Sequence, residues 1–88
     1  MDPSDEKVIY DYADKFINLA NEISKTDRSG NVGVAIRFAA ARYSAYEASL
    51  RTKNLAADKD NELQLFAKAF TDMLQINIEE YIAIQSQK

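Results

Sequence analysis

The sequence predicts an all-α protein, a three-helix up-down-up bundle with a long third helix, forming a helical homodimer. Three observations carry that prediction. Two Gly and one Pro in 88 residues cannot supply the turns that an all-β sandwich needs about every 8–12 residues. Apolar residues recur at steps of three and four along three long segments, with polar stretches between them. Finally, the segments carry more apolar surface than three stripes facing one axis can absorb. The length makes residues 1–88 a single domain, and 47% apolar and 28% charged residues suit an ordinary globular chain.

The first helix is expected over about residues 3–24. Asp2 can cap it, Pro3 suits its first position, and Asp5 and Glu6 lie where the dipole favours anions. Ile9, Tyr12, Ala13, Phe16, Ile17, Ala20 and Ile23 then form one face, with Asp11, Asp14, Asn18 and Glu22 opposite. Lys25 to Asn31 reads as a polar loop carrying Gly30, and Asn31 can cap the next helix.

The second helix, about residues 32–52, has two apolar seams. Val32, Ile36, Ala39, Tyr43, Tyr46 and Leu50 form one, and Val34, Phe38, Ala41, Ala45 and Ala48 the other. At about 100° per residue the seams point about 160° apart. A helix apolar on two sides is expected to lie between neighbours. Its alanine seam lets another backbone come close.

The third helix is expected over about residues 58–84, capped by Asp58 or Asp60. Its main stripe is Leu63, Phe66, Ala67, Phe70, Met73, Leu74, Ile78, Tyr81 and Ile82, interrupted by Asn77. Leu65, Ala69, Ile76 and Ala83 fall on the opposite side. A polar residue in such a stripe can fix register or oligomeric state, or can sit at the stripe's wet edge. The tail from Gln85 to Lys88 is expected to fray.

The same composition narrows the chemistry. The chain has no Cys and no His, so it lacks a thiolate nucleophile and the commonest general base and metal ligand. With a net charge of −3 it lacks the basic balance of a phosphate-backbone binder, and nucleic acid is not an expected partner. No stretch approaches the about 20 apolar residues that span a bilayer, and residues 1–7 do not resemble a signal peptide. The expected location is therefore the cytoplasm, without membrane association.

Individual constellations give weaker signals. Asp58-Lys59-Asp60-Asn61-Glu62 begins like a calcium loop, but Leu63 and Ala69 stand where such a loop needs Gly and a bidentate Glu. Asp11, Asp14 and Glu22 read as a solvated face, and adjacent Glu79 and Glu80 diverge around the helix. Lys25 and Arg28 precede the second helix N-terminus, yet the spacing of Gly30 and Gly33 is not that of a phosphate loop. Arg37, Arg42 and Tyr46 are the most ligand-like group and can bind a small anion; a structural hydrogen bond or interface salt bridge explains them as well.

Three segments, Phe16-Ile17-Asn18-Leu19-Ala20-Asn21, Ala39-Ala40-Ala41-Arg42-Tyr43-Ser44-Ala45-Tyr46, and Met73-Leu74 with Glu79-Glu80-Tyr81-Ile82, resemble a small proteobacterial family. It is the domain-of-unknown-function family numbered three-one-four-four. The resemblance covers most of the chain, from Tyr12 to Ile82. It implies an all-helical protein from a Gram-negative bacterium and brings no activity, cofactor or catalytic residue.

Taken together, the residues point to a small non-catalytic protein-interaction module that self-associates as a homodimer and can present a helical surface to another protein. No cofactor or metal is expected. The interface residues expected are Phe38, Ala41, Ala45 and Ala48 on the second helix and Leu65 and Ile76 on the third. The alternative is a binding module for a small anion at Arg37, Arg42 and Tyr46. An enzyme would have to work without His or Cys.

Overall fold

The computed structural model describes residues 3–87. They form α1 (Pro3–Ser24), α2 (Asn31–Arg51) and α3 (Leu55–Ser86), with no strand among the described residues. The all-helical class and the longest helix in third place agree with the sequence. Asp2, expected as a cap, and Lys88, the last residue of the tail expected to fray, lie outside the described residues. The chain divides into two compact units, Met1–Tyr43 and Ser44–Lys88, so that the boundary falls within α2.

In the first unit, α1 begins with Asp5 and Glu6 in its first turn. Pairs one turn apart run along its surface: Lys7 Nζ donates to Asp11 Oδ2 at 2.9 Å, and Tyr10 Oη to Glu6 Oε1 at 3.2 Å. Each such pair is worth only a few tenths of a kcal/mol. The helix closes as the backbone N–H groups of Thr26 and Asp27 both donate to Ile23 O, at 3.1 and 3.2 Å.

The loop that follows is held by a relay of three polar residues. The Ser29 backbone N–H and hydroxyl donate to Asp27 Oδ1 at 2.9 and 2.5 Å, and the Asn31 N–H donates to Ser29 Oγ at 3.1 Å. These bonds hold the Asp27 carboxyl below the ordinary carboxylate pKa, the Ser29 hydroxyl contributing most and its backbone N–H next. Gly30 turns the chain at φ +91°, a region costly for a residue with a Cβ. Asn31 is the first residue of α2, one position earlier than expected, and the Ser29 hydroxyl accepts its otherwise unpaired N–H.

The second unit contains Ser44–Arg51 of α2 and all of α3. Its corner is the best-knit part of the chain. Arg51 Nη2 donates to Glu62 Oε2, and the guanidinium lies 5.2 Å from the centre of the Phe66 ring. The Thr52 hydroxyl donates to Asp58 Oδ2 and accepts the Asn54 N–H at 3.1 Å. Asn54 caps α3 by accepting the Ala57 N–H at 3.2 Å.

The third helix therefore starts three residues before the expected Asp58. Leu55, Ala56 and Ala57 are helix formers that need only a cap, and Asn54 supplies it. Asp58 sits instead in the first turn, where the helix dipole favours its charge. At the far end the helix continues through Ser86, beyond the expected Ile84. The Gln87 N–H donates to Ile84 O at 3.2 Å, and Ser86 Oγ to Ile82 O at 2.9 Å.

Candidate interaction surface

Burial is sparse. Among the described residues, Ala48 is the one buried apolar residue, at 4% exposure, and Glu62 the one buried charged residue. Both α2 seams are open. Ile36, Tyr43, Tyr46 and Leu50 are exposed along one, and Val34 and Phe38 along the other. The sequence expects a helix enclosed by neighbours, whereas these six residues of it are exposed.

The six residues expected at an interface divide accordingly. Phe38, Ala41, Ala45, Leu65 and Ile76 are exposed, whereas Ala48 offers no free surface. Leu50 stands out most at 70% exposure, and Phe16, Phe38 and Tyr81 are 66%, 65% and 66% exposed. Along α3 the main stripe remains exposed at Leu63, Phe70, Met73, Leu74, Ile78, Tyr81 and Ile82. Asn77, which interrupts it, donates from Nδ2 to Met73 O at 2.8 Å, so its amide is engaged within its own helix.

Two hollows lie in the first unit. One, of about 380 Å³, runs between Phe16, Leu19, Ala20 and Ile23 of α1 and Val32, Ala35, Ile36 and Ala39 of α2, with Asp27 and Asn31 at its polar end. It is an apolar groove with no converging charges. The other, of about 410 Å³, is lined by Asn21, Ser24, Asp27, Arg28, Gly30 and Gly33 among others. There the Asp27 carboxylate opposes any anion that Arg28 would attract. Lys25 is drawn away to Glu22 Oε1 at 2.8 Å.

Arg37 lies back along α2 over Gly33: a Cβ there would stand 3.6 Å from Arg37 Nη1. Arg42 follows five positions later, about 140° around the helix. Tyr46 is exposed on the same helix in the other unit.

Several acidic residues are engaged as surface partners. Asp11 pairs with Lys7, Glu22 with Lys25, and Asp72 with Lys68 at 2.9 Å, while Glu79 accepts from Gln75 at 3.3 Å. Of the calcium-loop-like run, Asp58 is held by Thr52 and Glu62 by Arg51. Among the described residues no three acidic side chains gather to hold a metal ion, and no helix is long and apolar enough to cross a membrane.

Sequence reasoning missed the Arg51–Glu62–Phe66 corner. The pairing spans eleven positions across a connection, and helical periodicity carries no signal for it. A basic residue ending one helix and an acidic residue early in the next was the only hint.

A family model described as a protein of unknown function (DUF3144) matches residues 9–82, a span that includes all three segments on which the resemblance rests. No curated protein and no solved structure matches the chain.

Proposed function

The chain belongs to DUF3144, a family of proteins of unknown function, and from that premise we propose that it is a non-catalytic protein-interaction module that works as a homodimer of helical bundles. The observation that carries this is the exposure of large apolar side chains on all three helices while Ala48 alone is buried among the described apolar residues. A water-soluble surface does not ordinarily leave apolar strips of that length uncovered. Covering Phe16, Phe38 or Tyr81, each about two-thirds exposed, is worth about 1–2 kcal/mol apiece. Association with a second copy is the commonest closed way to gain that energy.

The non-catalytic reading is supported by the absence of His and Cys and by acidic groups spent on surface pairs. A cytoplasmic setting fits a chain without cysteine. Ala45 lies in the small-residue seam of α2 and is exposed, so Ala45→Glu places a charge on that seam and tests whether a second copy meets it. A seam in the interface gives weaker self-association in sedimentation equilibrium with the helical circular-dichroism spectrum intact. Self-association equal to that of the unmodified protein would show that this seam is not in the interface.

A further inference from the structure

We propose that two copies join through the distal half of α3, running antiparallel about a two-fold axis between Gln75 and Ile76. The proposal deepens the self-association reading and rests on it. Its starting point lies within the second unit. The α2 portion there, Ser44–Arg51, extends about 12 Å, whereas the 32 residues of α3 extend about 48 Å. So short a piece cannot run beside the whole stripe, and Phe70, Met73, Leu74, Ile78, Tyr81 and Ile84 remain 45–66% exposed.

Their area suits a second copy. At about 200 Å² for a fully exposed large side chain, these six present about 600 Å² per copy, or about 1,200 Å² for a pair. That reaches the lower bound of a stable specific interface, about 1,200 Å², before any rim atoms are counted.

The order of residues sets the direction. Ala67, Phe70, Leu74, Asn77, Tyr81 and Ile84 step by 3, 4, 3, 4 and 3, the spacing of a two-helix seam. Antiparallel pairing about the stated axis layers Ala67 on Ile84, Phe70 on Tyr81, and Leu74 on Asn77 of the other copy. Each small or polar residue then meets a large apolar one. A parallel pair would set Ala67 against Ala67, leaving a gap, and Asn77 against Asn77. The Asn77 amide, bonded to Met73 O, accepts Leu74 as a neighbour without first losing a partner.

The chain has no cysteine, so single spin labels can be placed at Gln64, Gln75 and Gln85, all exposed and none of them a residue of the seam itself. With a 1.5 Å rise, labels on the two copies separate along the axis by 3 Å for each residue from the two-fold. The axial separations are about 2 Å at Gln75, 28 Å at Gln85 and 34 Å at Gln64. Pulsed dipolar spectroscopy on the full chain is expected to give the shortest distance at Gln75 and the longest at Gln64.

One equal distance at all three sites would overturn the antiparallel arrangement. A particle of twice the chain mass with no distance graded along α3 would place the interface elsewhere, overturning this inference but leaving self-association standing. A particle of single-chain mass would remove both.

Discussion

Arg51→Ala tests whether the α2–α3 corner is held by its ion pair. In the structure the Arg51 side chain is 53% exposed and that of Glu62 only 12%. Breaking a fully buried pair costs about 3–5 kcal/mol and an exposed one about 0–1. The half-exposed guanidinium lets water screen this pair, so its loss is worth about 2 kcal/mol. The contact with Phe66 adds about 0.5–1 kcal/mol at a site this open. Arg51→Ala is therefore expected to destabilise the protein by about 2–3 kcal/mol.

At about 4–8 °C per kcal/mol for a domain of this size, the melting temperature falls by about 8–24 °C. Thermal or urea unfolding followed by circular dichroism, at one fixed protein concentration, reads the change. Adding Glu62→Leu in the same chain removes the stranded carboxylate and is expected to recover most of the ion-pair loss. The cycle completed by Glu62→Leu alone should show a coupling of at least about 1 kcal/mol. If Arg51→Ala stays within about 0.5 kcal/mol of the unmodified protein, or if the coupling vanishes, the pair does not hold the corner.

Three further outcomes follow from local geometry. Gly30 turns at φ +91°, so Gly30→Ala is expected to cost about 1–2 kcal/mol; Gly33→Ala meets only an ordinary contact at 3.6 Å and should gain about 0.5–1 kcal/mol, both read by urea titration. Asn54→Ala removes the α3 cap and is expected to cost about 1 kcal/mol, with faster amide hydrogen exchange at Ala57 and Asp58. Asp27 has a depressed pKa in the folded chain. Its stabilising contribution is thus complete above the ordinary carboxylate value of about 4 and is lost as pH falls through the lower folded value. A carbon-detected NMR titration should show Asp27 below that value in the unmodified protein and moved up toward it in Ser29→Ala.

How much of this was legible beforehand depends on the range over which the cause acts. The stripe from Ile9 to Ile23 and the polar run after Ser24 are local signals, and α1 ends at Ser24 as they indicate, while the loop is one residue shorter than expected. The α3 start was less legible because Asn54, Asp58 and Asp60 are all competent caps. The choice is made by Thr52, whose hydroxyl links Asn54 to Asp58. Glu62 read as part of an acidic helix start, and only the fold brings Arg51 to it. The two α2 seams were legible as apolar, but exposure is a property of what stands opposite. Of the described seam residues, Ala48 is the one that is buried. For the anion reading, the sequence brought Arg37, Arg42 and Tyr46 onto one helix without fixing the directions of their side chains.

The central claim is that the open apolar faces are covered by a second copy of this chain. Absolute mass in solution tests it most directly, by light scattering behind a sizing column over a range of loading concentrations. Twice the chain mass of 9.9 kDa, about 20 kDa, is the result expected. A mass of about 10 kDa at every concentration would contradict the claim.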